Sequence, residues 1–391
     1  MKNPFEFGRA LNAGELVDRE SELSEIVATI LDASKLFLIG PRRYGKTSIL
    51  RAAEKIAIDK GAVVLRYDAE AFATLGQLSA KILADAARQL TPTLEKATHA
   101  LRDIFGALRP EASVNPQTGA WTVSLYEVQP SAPIPLLVDV LDGVETLAAK
   151  ARKPVAIILD EFQKVIEEGG PGAESQIRAA VQHHRRVGYV FAGSKTRILT
   201  DMTSDPNRPF YKLGSARFLG AVPRADFVRF LERHFAAGRI AMQDGAAEAI
   251  LDASEDVPYN VQLLAHECWD ACREPPGKGK KGSEHTTLTV ALVREIRDRS
   301  ALRSDPVYTQ LWSALPSTQQ RTLLALLRES DEGLNSTAVS RRYDIPTSTL
   351  RNSLRLLEVK GILREEQARG TTRLRFEDPL FSAWISLVIP L

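Results

Sequence analysis

Residues 40–47, Gly-Pro-Arg-Arg-Tyr-Gly-Lys-Thr, constrain this chain more than any other stretch. They form a G-x-x-x-x-G-K-[ST] loop between an apolar run at 35–39 (KLFLI) and a helix-prone segment at 46–58. Strand, loop and helix in that order make a phosphate cradle. Gly40 and Gly45 let backbone N–H groups turn inward on an anion, and the helix starting near Lys46 adds the positive end of its dipole. Pro41, Arg42, Arg43, Tyr44 and Ser48 complete the binding loop. Lys46 is expected to reach the β and γ phosphates as a point charge, and the Thr47 hydroxyl to ligate Mg²⁺.

A second signal concerns the fate of the triphosphate. Residues 155–159 (VAIIL) form an apolar, partly β-branched run of strand length, the pattern of a strand buried on both faces of a parallel sheet, and Asp160-Glu161 follow at once. Adjacent acids at the carboxyl end of such a strand sit where an open α/β sheet places its site. Asp160 is the expected holder of Mg²⁺ and Glu161 the group that polarises the attacking water. Another strand candidate, 62–67, lies between the two motifs in the sequence, a layout shared with P-loop ATPases that carry their own catalytic glutamate.

Composition narrows the setting. Lys and Arg number 51 against 49 Asp and Glu, a formal charge of +2, so any nucleic-acid binding must come from a local patch rather than bulk charge. Cys268 and Cys272, four apart in a predicted helix, are the two cysteines. They form no disulfide framework and point to a reducing compartment. His266 and Cys268 fall on different helix faces, which favours core packing over metal binding. With no signal-peptide apolar region and no 18-residue apolar run, a cytoplasmic location and no membrane contact are expected.

The chain reads as three blocks. In 1–223, strands at 35–39, 62–67, 155–159, 187–192 and near 216–219 alternate with helices at 46–58, between 74 and 108, at 134–151 and at 174–185. This predicts an α/β fold, a parallel sheet with helices on both faces. Residues 112–128 alternate polar and apolar around Asn-Pro-Gln-Thr-Gly and read as an inserted hairpin. Residues 224–300 carry helical periodicity, interrupted by a Pro-, Gly- and Lys-rich stretch at 273–287 that reads as a flexible loop.

Residues 307–391 have the pattern of a winged helix: helices at 318–328, 336–343 and 347–359, then a hairpin over 361–376 whose tip is 368–370. Pro346 after the turn, with Thr347 and Ser348 as cap residues, is expected to restart the chain sharply as the third helix. In a DNA-reading module that helix enters the major groove and the wing tracks phosphate. The candidate contacts to duplex DNA are Arg341, Arg342, Ser348, Arg351, Asn352 and Arg355, with Arg369 and Arg373 from the wing. Between 336 and 360, five basic residues face Asp344 and Glu358, a net of +3. Packing within the chain or docking of a protein partner is the competing role for the same helix.

GPRRYGKTS, ILDEFQKV, YVFAGSKTRIL, RPFYKL, VPYNVQLLAHECWD and FEDPLFSAWI, together with Asn3-Pro-Phe5 and Asp18-Arg-Glu20, carry a resemblance that spans nearly the whole chain. The sequence resembles the archaeal-type P-loop ATPases, an AAA+/STAND-related group. The resemblance implies ATP binding with Mg²⁺, regulated hydrolysis, and a core followed by a helical lid and a winged helix. It implies Arg19 near the adenine, Ser194 as the polar sensor beside the γ phosphate, and Pro258 with Tyr259 on the adenine side of the lid. Relatives often have Gly before that Pro, where this chain has Asp256-Val257. The expected function is an ATP-driven switch whose winged helix docks DNA or a protein partner. The alternative is a DNA-associated ATPase of replication, mobile elements or defence. Arg185, Arg186 and Arg208 are candidates to reach a neighbouring subunit, which would require a nucleotide-dependent homo-oligomer.

Overall fold

The structure, a computed structural model, describes residues 2–9, 16–91, 110–114, 121–125, 133–194, 196–273, 287–329, 337–368 and 371–390. Two compact units result: Arg9–Gly220, and Met1–Gly8 with Ala221–Leu391.

The first unit begins with α1 (Glu20–Leu31), β1 (Lys35–Ile39), α2 (Lys46–Asp59), β2 (Val63–Asp68) and α3 (Leu75–Leu90). A hairpin follows, β3 (Pro110–Val114) with β4 (Trp121–Leu125), antiparallel as predicted; residues 115–120 and 126–128 of that expectation lie outside the described residues. Then come α4 (Pro133–Ala151), β5 (Val155–Asp160), α5 (Gln163–Gly169), α6 (Ala173–Val181), β6 (Val187–Gly193), α7 (Thr196–Ser204) and β7 (Ser215–Phe218).

Five of these strands form one parallel sheet in the order β2-β5-β6-β1-β7. Every residue of β5 and β6 is buried, which is why both strands read as continuous apolar runs rather than alternating ones. Phe37, Ile39, Leu65, Ile157, Leu159, Tyr189 and Phe191 face a core shared with α3, α4 and α6. The residues between them in sequence, Leu36, Leu38, Val64, Ala156, Ile158 and Val190, are equally buried on the other face, where α1 packs on β6 and α2 on α1. The sheet therefore carries helices on both faces. The strand that separates β1 from β5 in space is β6, not the 62–67 segment that separates them in sequence; β2 instead takes the edge beside β5. One intervening strand sets β1 and β5 about 10 Å apart.

The second unit contains α8 (Arg224–Ala237), β8 (Ala241–Met242), α9 (Ala246–Ala253), α10 (Pro258–Arg273), β9 (Thr287–Leu288) and α11 (Val290–Arg303), the helical block. Of the predicted loop at 273–287, residues 274–286 lie outside the described residues. Residues 2–8 pack in this unit. The cause is Phe5, fully buried with its ring centroid 4.9 Å from that of Phe235, 5.9 Å from Trp269 and 6.1 Å from Phe230. Asn3 Nδ2 fastens the segment to α10 by donating to the His266 carbonyl and to Asp270. Cys268 and Cys272 are buried in the same helix, while His266 bonds through Nδ1 to the Phe5 carbonyl.

The turn before Pro258 is unusual. Glu255 and Asp256 both have left-handed φ, 49° and 56°, a conformation that glycine adopts at less cost. Two arginines hold it: Arg224 Nη1 donates to both carboxylate oxygens of Asp256, and Arg364 donates to Glu255.

The chain continues through α12 (Asp305–Ser313), α13 (Ser317–Arg328), α14 (Thr337–Arg342), α15 (Thr347–Val359), β10 (Leu363–Ala368), β11 (Thr371–Phe376) and α16 (Pro379–Val388). Three of these helices, α13 to α15, fall where the sequence predicts them and precede an antiparallel hairpin, β10 with β11. Ile345, Leu350, Leu354, Leu357, Phe376, Phe381 and Trp384 share its core. The expected capping of α15 by Thr347 and Ser348 is absent: the N-cap position is Pro346, and no side chain caps it. Pro346, the other part of that expectation, is at the N-cap, its fixed φ starting the helix.

Candidate functional site

The loop after β1 is tightly wound. Arg43 and Gly45 have φ of 66° and 89°, and Gly45, at the N-cap of α2, adopts this left-handed backbone without the strain a side chain would add. Gly40 N donates to the Gly193 carbonyl at 3.3 Å, tying the loop to the end of β6. Lys46 is only 6% exposed, and its Nζ donates to the carbonyls of Gly40 and Pro41, each at 2.9 Å. The ammonium thus lies inside the ring of its own loop, among the backbone groups that a phosphate would meet.

Asp160 and Glu161 end β5 facing this loop. Thr47 Oγ1 donates to Asp160 Oδ2 at 2.9 Å, so the two residues assigned to the metal from the sequence meet across 113 positions of chain. A hydroxyl and a carboxylate are hard oxygen donors of the kind Mg²⁺ takes while it keeps several waters, and the pair fits that ion. Burial pushes the Asp160 carboxyl above the usual range; the Thr47 bond opposes this and the neighbouring Glu161 adds to it.

Glu161 is differently placed. Its φ is 51°, and three donors converge on its Oε2: Gln163 Nε2 at 2.5 Å, Ser194 Oγ at 2.7 Å and Ser194 N at 3.2 Å. Burial would raise its pKa, but the bonds from Gln163 and Ser194, with the Lys46 charge, outweigh burial and hold the carboxyl below its ordinary value. Ser194, directly after β6, therefore meets Glu161. Gln163, buried to 1% exposure at the start of α5, is the site residue that sequence reasoning did not single out, although it stands in the DEFQ string.

The other candidates lie further out. Arg19 is buried at the start of α1, its guanidinium donating to the Gly220 carbonyl at 2.6 Å and to Glu22 at 3.1 Å. Pro258 opens α10 in the second unit. Arg42 lies 3.7 Å from Glu70, and Tyr44 and Ser48 are buried. Arg185 and Arg186 stand just before the amino end of β6, with their backbone N–H groups held by Glu145, at the end of the sheet opposite the loop. Arg208 donates through Nε and Nη2 to Glu174.

On α15, the apolar residues Leu350, Leu354 and Leu357 turn inward, leaving Arg351, Asn352 and Arg355 exposed on the opposite face. Arg341, Arg342, Ser348 and Arg373 are exposed as well, and Arg342 pairs with Glu329. Arg369 lies outside the described residues.

No protein-family model and no curated protein matches the chain. Solved structures do. A Walker-type ATPase of Pyrococcus abyssi matches 98% of this chain and 99% of its own length, with a TM-score of 0.60 at 17% identity. The ORC2 protein of Aeropyrum pernix, solved in ADPNP–ADP complexes, matches 99% of this chain and 97% of its own, with a TM-score of 0.55 at 15% identity. At such identities the likeness is one of fold. The fold and the loop after β1 define a P-loop NTPase architecture, and the likeness extends through the helical and C-terminal blocks.

Proposed function

We propose that this chain is a Mg²⁺-dependent ATPase whose turnover sets the state of its C-terminal module. The convergence of Lys46, Thr47, Asp160, Glu161 and Ser194 at the ends of β1, β5 and β6 carries the reading. In this reading backbone N–H groups of 40–48 and Lys46 bind the β and γ phosphates, Lys46 exchanging the Gly40 and Pro41 carbonyls for phosphate oxygens. Thr47 and Asp160 hold Mg²⁺, which when bound neutralises charge on the phosphate oxygens. Glu161 accepts a proton from the attacking water, and Ser194 stands beside the γ phosphate, its one hydroxyl proton going either to Glu161, as in this structure, or to that phosphate, with its backbone N–H remaining on Glu161. Arg19 belongs to the adenine side. The test is direct: phosphate release from ATP should require Mg²⁺ and should be lost in Lys46→Ala. Release that persists in that variant, or proceeds equally in a chelator, would remove the assignment.

The exposed basic face of α15 favours duplex DNA as what the module docks, over a purely internal packing role. Arg351 and Arg355, four apart, share a helix face that can enter a groove, with Arg373 on the adjoining strand near the backbone. Charge reversal at Arg351 and Arg355 should abolish binding, while Arg373→Ala should weaken it on all sequences and lower the salt slope by about 1. Fluorescence anisotropy across a salt series, in ATP and in ADP, reads both effects. Absence of binding at low salt in either nucleotide would leave the helix to a protein partner. A homo-oligomer using Arg185, Arg186 or Arg208 in trans would make specific turnover rise with protein concentration.

A further inference from the structure

Glu161 must do more than stand near the nucleotide: a general base needs one oxygen aimed at the water and held there. Two different residues fix it from the side. Ser194 supplies a hydroxyl and a backbone N–H, and Gln163, two residues on, supplies the shortest of the three bonds, all to Oε2. No hydrogen bond reaches Oε1 of Glu161 among the described residues. One oxygen is pinned and the other is left to accept a proton.

The Gln163 carboxamide is built for this task. It is buried, and its own Oε1 meets no donor among the described residues, so the bond to Glu161 is what orients the group. Exchanging its O and N would set acceptor against carboxylate, which fixes the assignment of Nε2. Space for the carboxamide comes from the neighbouring strand: a Cβ on Gly193 would fall 2.1 Å from Gln163 Oε1. The residue before Ser194 must therefore be glycine if Gln163 is to reach Glu161.

We propose that Gln163 is a positioning residue for hydrolysis, orienting Glu161 from within the core in a slot that Gly193 keeps open. This rests on Glu161 being the water-activating group. A carboxylate freed to swing by about an ångström can lose up to about 10²-fold in rate. Gln163→Met keeps the volume, removes the donor and leaves no buried orphan oxygen, so the fold should survive it. It should lower kcat by about 10- to 100-fold with the ATP dissociation constant within twofold of the parent. Gly193→Ala would place a Cβ 2.1 Å from Gln163 Oε1 and 2.5 Å from Cδ1 of the buried Leu199, so it should lower kcat at least as much, with its urea unfolding midpoint measured to separate loss of the slot from loss of the fold. Calorimetric titration with ATP and single-turnover hydrolysis measure the two quantities separately, with Glu161→Gln run alongside. Should Glu161→Gln hydrolyse at the parental rate, the reading of Glu161 fails whatever Gln163 does. Should Glu161→Gln be inactive while Gln163→Met turns over within twofold of the parent, turns over faster, or loses affinity instead of kcat, the positioning role is overturned.

Discussion

Replacing Glu161 by Gln separates binding from chemistry. The carboxamide oxygen can still receive Gln163 Nε2, Ser194 Oγ and Ser194 N, so the side chain should stay in place. What changes is the other end, where a lone pair that could take a proton becomes an NH₂ donor. Positioned general bases contribute about 10²- to 10⁴-fold, or roughly 2.7–5.5 kcal/mol of barrier. Turnover should fall by that range while Mg·ATP binds nearly as in the parent, since Lys46, Thr47 and Asp160 are untouched. The stability effect should be small: three bonds to a carboxylate become bonds to a neutral oxygen, about 1 kcal/mol or a little more, a Tm shift of a few degrees. In the parent, the carboxyl is held below its ordinary value, so the base stays ionised and turnover is lost only as pH falls through that lowered value. Gln should abolish this acid limb. Single-turnover hydrolysis from acidic to neutral pH, with calorimetric ATP titration, tests all of it. A Glu161→Gln protein that hydrolyses ATP at the parental rate would refute the reasoning.

Three further outcomes are expected. Lys46→Ala should retain the fold, since Nζ donates to carbonyls of its own loop, yet lose about 10- to 150-fold in ATP affinity from one charge-assisted contact of about 1.5–3 kcal/mol; unchanged calorimetric affinity would count against it. Asp160 has a raised folded-state pKa, so its contribution to stability is full below the unfolded pKa and is lost as pH rises through the folded one. Asp160→Asn should therefore raise the Tm in EDTA at neutral pH while weakening Mg²⁺-dependent ATP binding by about 10-fold or more; a lower Tm in calorimetry would contradict this. Phe5→Ala, which empties a fully buried ring position, should destabilise the second unit by about 3–5 kcal/mol in urea unfolding, and an unchanged midpoint would show that the segment is dispensable.

Much of the core could be read from the chain because its signals are local. Strand, loop and helix around Gly45 and Lys46 are contiguous, and β5 announces itself by an unbroken apolar run ending in two acids. Strand order was not local: both 62–67 and 187–192 are apolar runs of strand length, and Arg66, the one charge between them, is a slight sign of the edge position that the first takes. Gln163 was overlooked for a related reason. A glutamine after Asp-Glu-Phe looks like any polar residue opening a helix, and its role depends on the absent side chain of Gly193, thirty positions away. Glu255 and Asp256 gave no hint of left-handed backbone, since the arginines that hold them, Arg224 and Arg364, come from distant segments. The placement of Asn3-Pro-Phe5 was likewise hidden, as three residues carry no periodicity.

That last placement has a consequence for how the molecule is made. Phe5 leaves the ribosome before any of the first unit, yet its pocket is built from Phe230, Phe235 and Trp269. At about 5–20 residues per second, the ring waits roughly 10–45 s for Phe230 to follow it. Through that interval the parallel sheet can close on its own while an apolar tether stays in water, a ready ligand for a chaperone that favours aromatic segments. The pocket for Phe5 is complete only once Trp269 has followed it out.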